Sequence, residues 1–236
     1  MTIKLVDSMK KIDPLFRVKL AYEKKIIDDN IFNLIIKRKT IIEEGIFRIQ
    51  RLTDIDYPQY FIEPSLLIAT SSLEHEQFSI IYARTIPICN KDNEIEVFIQ
   101  FFTPLVIYAL KGTIHSVIAH EFLHYLDILN KIINLDITSN TPNDTLYENI
   151  FTDNEKLFNH SKVFKKDKYL TKIITKKFEN GFLDEKLNDK SIRLWIQKKM
   201  PIEKMPIESN YTNLPFLSLA NTEIDEVIKK KLSSLL

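Results

Sequence analysis

The stretch from Thr113 to Leu129 constrains this chain more than any other. No proline or glycine interrupts it, and Ile114, Val117, Ile118, Phe122, Leu126 and Leu129 recur at the three- and four-residue spacing of a broad helix face. Gly112 precedes the stretch, and Thr113 can cap it. Inside it stands His120-Glu121-Phe122-Leu123-His124. Residues four apart lie one turn above each other, so the two imidazoles can reach one metal ion. Glu121, beside the first histidine, can reach a water bound to that ion. On a mostly buried helix an unpaired polar group would be costly, and a metal relieves that cost. The plainer reading is a helix with two half-exposed histidines that bind nothing.

Around this helix the chain reads as α+β. Asp13-Pro14 marks one helix start. Asp28 or Asp29 starts a second helix through Ile31, Leu34, Ile35 and Ile41-Ile42, ending near Gly45. Ile46 to Leu52 alternates and predicts a strand, and Leu66 to Ala69 predicts a short buried one. Phe78 to Ile88 and Ile95 to Phe102 predict two strands, which the turn residues Asn90-Lys91-Asp92-Asn93 join into a hairpin. Pro104 then opens a short helix that feeds the motif helix.

Beyond Leu135 the pattern is a loop from Thr138 to Asp144, then short helices around Leu146–Phe151, Asn154–Lys166, Tyr169–Asn180 and Ser191–Met200. Gly181 is expected just past the third of these. Pro201, Pro206 and Pro215 break the next stretch into extended turns, and Thr222 and Asp225 suit the start of a last helix to Leu235. The expectation is a single domain over residues 1–236: an α+β half over 1–134 that ends in the motif helix, and a helical half over 135–236. A metal cleft between the halves follows.

In its motif and setting the chain resembles the zincin metallopeptidases, over roughly residues 78 to 160. In that family an edge strand before the motif helix pairs with an extended peptide substrate. Ile95 to Phe102 stands in that place, although an ordinary hairpin strand explains it equally well. A catalytic zinc takes three protein ligands and keeps a position for water. The metzincin continuation is missing, because Tyr125 to Lys131 holds no glycine or histidine. The gluzincin pattern N-E-x-x-x-D is matched by Asn154-Glu155-Lys156-Leu157-Phe158-Asn159, with Asn in the last place.

The resemblance therefore implies a zincin-like fold with His120, His124 and Glu155 as Zn2+ ligands. Glu148 is the competing third ligand, and Asp127 suits orienting a ligand better than binding metal. His160 belongs to a helix position turned away from Glu155. A solvated acid in a first helical turn, with Asp153 as its cap, accounts for Glu155 without metal. Peptide deformylases share H-E-x-x-H but add a cysteine from a G-C-L-S-like segment. Cys89, in Ile86-Pro87-Ile88-Cys89-Asn90-Lys91, lacks that setting and reads as a small buried hydrophobe. The implied chemistry is peptide hydrolysis by a zinc-activated water, with Glu121 as general base and then acid. Tyr169, Arg193, Tyr211 and His160 are all candidates for a second oxyanion donor.

Charge and composition narrow the partners. Lys plus Arg is 33 against 32 for Asp plus Glu, so a net charge of +1 gives no global pull toward nucleic acid or an anionic membrane. Lysine-rich runs at 162–168 and 229–231 are solvated helix faces. The most apolar run, Val97 to Leu110, is too short to span a bilayer, and the first residues hold no long apolar segment of a secretory signal. A single cysteine excludes an intramolecular disulfide and suits the cytoplasm. The reading is a cytoplasmic zinc peptidase acting on a peptide or protein substrate. The alternative is a non-catalytic zincin-like protein with a structural zinc or a protein-binding role. Oligomeric state stays open.

Overall fold

The computed structural model describes residues 12–70, 78–135, 158–178, 181–206 and 215–236. Its architecture is α+β. In chain order the elements are α1 (Phe16–Glu23), α2 (Asp29–Thr53), β1 (Gln59–Glu63), β2 (Leu66–Thr70), β3 (Phe78–Ile81), β4 (Ala83–Cys89), β5 (Ile95–Phe102), α3 (Thr103–Tyr108) and α4 (Lys111–Asn134). Then come α5 (His160–Val163), α6 (Lys168–Phe178), α7 (Glu185–Ser191), a π-helical turn (Ile192–Ile196), β6 (Ile202–Pro206), α8 (Phe216–Asn221) and α9 (Glu226–Leu235). The strands form two three-stranded sheets, ordered β1-β5-β4 and β3-β2-β6.

Helix α4, which carries the motif, is the centre of the fold. Nearly every residue from Thr113 to Ile132 is buried, with His124 and Asp127 among the few half-exposed ones. The expected stripe is there, but the helix is enclosed on all sides, as its apolar composition allows. It packs against α2, α6, β4, α8 and α9. One apolar core runs from Leu15 to Leu232 and joins residues from both halves of the chain. Thr113 does not cap α4, which starts two residues earlier; its hydroxyl instead donates to Asp184 at 2.9 Å.

The strand expected at Ile46–Leu52 is helix. Helix α2 runs unbroken through Gly45 to Thr53, burying Ile35, Ile42, Gly45, Ile49 and Thr53 at helical spacing. Asp28 caps it, accepting from Ile31 N at 2.8 Å. Gly45 is no stop signal but a contact point: a Cβ there would lie 2.5 Å from Ile118 Cδ1 and 3.1 Å from His115 Cδ2. Arg38 of α2 also donates to the carbonyls of Val106 and Ala109 at 2.6 and 2.5 Å, tying down the end of α3 just before α4 begins.

Strand β5 is central rather than an edge. β1 pairs with it in parallel and β4 antiparallel, and all eight of its residues are buried. Both ladders of β5 are used, so a peptide cannot add there. Its one buried amide, Gln100, is matched: it donates to Glu63 at 2.7 Å and accepts from Arg84 at 2.5 Å, while Arg17 pairs with Glu63. The β4–β5 hairpin forms as expected. Asn90 Oδ1 accepts from the amides of Asp92 and Glu94, both at 2.9 Å, and Asn93 takes φ 57°.

The region expected as one strand from Phe78 to Ile88 divides at Tyr82 into β3 and β4, which belong to different sheets. Gly181 has φ 85°, the left-handed geometry expected of it. Part of the helix expected at Ser191–Met200 is a π-helical turn around buried Trp195, whose indole donates to Pro201 O at 2.8 Å. β6, in the stretch read as extended turns, pairs in parallel with β2, and α8 was not expected. Asp225 caps α9, accepting from Val227 N at 2.7 Å, whereas Thr222 closes α8. Cys89 ends β4 at the hairpin and is exposed, not buried.

Candidate metal centre

His120 and His124 face each other across one turn of α4. Their Nε2 atoms lie 2.9 Å apart and the rings meet edge to face, 4.6 Å between centroids. Two nitrogens bound to one tetrahedral zinc at the usual bond length would lie about 3.3 Å apart. The pair is therefore close to the spacing a shared metal requires, and a small rotation of either ring reaches it. Without a metal, the same geometry is a hydrogen bond between one protonated and one bare nitrogen.

The two rings sit differently. His120 is 1% exposed and His124 is half-buried, so His124 marks the solvent side of the pair. The face of His120 is covered by Phe178 of α6, stacked at 3.9 Å and 5°. Phe178 packs on Phe182, and Phe182 on Tyr82 next to β4, so an aromatic wall runs along this side of the site.

Glu121 is 2% exposed, and β4 holds it. The Thr85 hydroxyl lies 2.7 Å from Glu121 Oε2 and 3.0 Å from the Glu121 carbonyl oxygen. Tyr57, between α2 and β1, is buried against the same helix and donates to Ile118 O at 3.0 Å. Burial first, and the negative charge of Glu121 second, push its phenol far above the ordinary tyrosine value.

The opposite face of α4 carries a separate polar cluster. His115 Nε2 lies 3.2 Å from Ile41 O and its Nδ1 lies 3.2 Å from Arg48 Nη1. A neutral ring donating from Nε2 and accepting at Nδ1 satisfies both contacts. Arg48 also grips Asp167 with two bonds, at 2.7 and 2.8 Å. Asp167 in turn accepts from Leu170 N at 3.0 Å at the start of α6. This cluster locks α2, α4 and α6 together, with the histidine pair on the far side of α4.

Among the described residues no group of three or more His, Cys, Asp and Glu side chains gathers where it could hold a metal. Glu155, Glu148 and Asp153 lie outside the described residues, as does Tyr211. The described donors thus fit half of a zinc site: two imidazoles of the right chemistry, close to the right spacing. His160 opens α5 and directs Nε2 to Thr175 Oγ1 at 2.9 Å. Arg193 makes an exposed ion pair with Asp189, and Tyr169 lies under the Arg48 guanidinium.

Thr85 and Phe178 are the site residues that the sequence reading missed. Leu170, Ile174 and Phe178 recur every fourth residue, so the burial of Phe178 could have been inferred but its partner could not. Nothing local marks Thr85. Compared with known proteins, the chain matches no family model, no curated protein and no solved structure.

Proposed function

We propose that this protein is a zinc-dependent metallopeptidase of zincin-like design, with His120 and His124 as two ligands, Glu155 as the third and Glu121 as general base and acid. One observation carries this reading: two imidazole nitrogens 2.9 Å apart on a buried helix, with a carboxylate directly after the first that the neighbouring strand grips. Zinc, when bound, supplies a water of lowered pKa and polarises the scissile carbonyl. Glu121 would accept a proton at its carboxylate and pass it to the departing amine. Phe178 keeps water from one face of His120. Among the described residues β4 is an end strand of its sheet, and it is also the strand that reaches Glu121. An extended peptide would therefore add to β4 rather than to β5. The balanced charge supports a peptide or protein substrate over nucleic acid. No helix among the described residues is long and apolar enough to cross a membrane. The lone cysteine, an exposed thiol, suits the reducing cytoplasm.

The deep burial of His120 and Glu121 favours a second reading, a structural zinc that staples the two halves and leaves no cleft for substrate. Metal content and turnover separate the two. Elemental mass spectrometry on the wild type should find one zinc per chain, and Glu155→Ala should lose most of it. Glu121→Gln should keep the zinc and lose hydrolysis of a peptide library. Unchanged turnover in Glu121→Gln rules out its role as base. A metal-loaded wild type that cleaves nothing favours the staple.

A further inference from the structure

Resting on the peptidase reading above, we propose that Thr85 is the positioning residue of the general base: its hydroxyl fixes the Glu121 carboxylate for proton transfer. A glutamate side chain turns about three bonds, and nothing in a helical backbone selects the rotamer a base requires. Thr85 supplies that selection. Its hydroxyl lies 2.7 Å from Oε2 and 3.0 Å from the backbone carbonyl of the same residue, so one donor clips Glu121 at both ends. Thr85 and Glu121 are each 2% exposed, so bulk water does not compete for the bond.

The donor itself is rigid. A β-branched residue on a strand is restricted at χ1. Thr85 is also in register with Ile99 of the central strand β5, so its backbone is fixed by the sheet. A carboxylate has lone pairs for several donors, so the Thr85 bond alone does not exhaust them. Valine keeps the shape of threonine and removes only the donor.

Crystal structures and steady-state peptide kinetics of the metal-loaded wild type, Thr85→Val and Thr85→Ser decide the point. In Thr85→Val the Glu121 carboxylate should leave its wild-type position, and kcat should fall by about tenfold to a hundredfold. KM and zinc content should stay within about twofold, because neither reports on the base. Thr85→Ser should restore the carboxylate position and most of kcat. Thr85→Ala, with no misfit methyl, should behave like Thr85→Val. The proposal is overturned if the carboxylate keeps its place without the hydroxyl, or if kcat is unchanged although it has moved. A wild type that cleaves no peptide defeats the peptidase reading separately, and the carboxylate position in Thr85→Val then still decides whether Thr85 holds Glu121.

Discussion

At Gly45 helix α2 packs tightly against α4, and a single added methyl would measure how tightly. The glycine lies inside a helix without positive φ, so alanine meets no backbone strain there. On helix propensity alone Gly45→Ala should stabilise by about 1 kcal/mol. The contact opposes it, since the new Cβ would stand 2.5 Å from Ile118 Cδ1 and 3.1 Å from His115 Cδ2. Ile118 is fully buried, which limits its room to turn away. The His115 ring is held on both nitrogens by Arg48 and Ile41 O. Overpacking of this kind costs about 1–3 kcal/mol. The net expectation is a loss of about 1 kcal/mol, or a Tm lower by about 2–4 °C in a domain of this size. Ile118→Val removes the very atom in conflict, at a cost of about 0.5–1.5 kcal/mol on its own. In that background Gly45→Ala should become neutral or stabilising, a coupling of about 1 kcal/mol in a double-mutant cycle measured by urea unfolding. A higher Tm for Gly45→Ala alone, or strictly additive single mutants, would refute the close approach as the reason for glycine.

Two further expectations follow from the two faces of α4. His120→Ala should lose the proposed metal and lower Tm, because it removes both a proposed ligand and the ring stacked on Phe178; full zinc occupancy with an unchanged melting temperature would contradict this. Burial, and then the Arg48 charge, hold His115 below the ordinary histidine value of 6.5. As pH falls through that value the unfolded chain takes up the proton first, so stability present above it is lost toward the lowered folded value. Urea midpoints should therefore drop as pH falls through and below about 6.5, and the drop should be smaller in His115→Gln. An equal drop in both proteins would show that folding does not change the proton affinity of His115.

What the sequence revealed was local. The Asn90–Asn93 turn was legible because asparagine and aspartate bond their own backbone, and the motif helix because its apolar residues repeat without a breaker. The misread elements depended on distant partners. Ile46, Arg48 and Gln50 alternate with other residues like a strand, but Ile42, Gly45 and Ile49 pack on α4 and that contact decides the matter. β5 looked like an edge because strand order in a sheet is set by β1, more than thirty residues earlier, and not by β5 itself. The histidines and Glu121 were recognisable by spacing, whereas Thr85 becomes visible only once β4 lies along α4.

The parallel pair of β2 and β6 joins Leu66 to Ile202, so the second sheet cannot close until most of the chain exists. The same delay applies to the histidines. Phe178, which covers His120, follows His124 by 54 positions (178 − 124). At ribosomal rates of ~5–20 residues per second, that leaves about 3 to 11 s in which both histidines have been made but the ring that covers His120 has not. During synthesis, then, the imidazole pair is exposed before the folded protein encloses it, and the proposed zinc would have an entry route in the order of manufacture that the finished structure narrows.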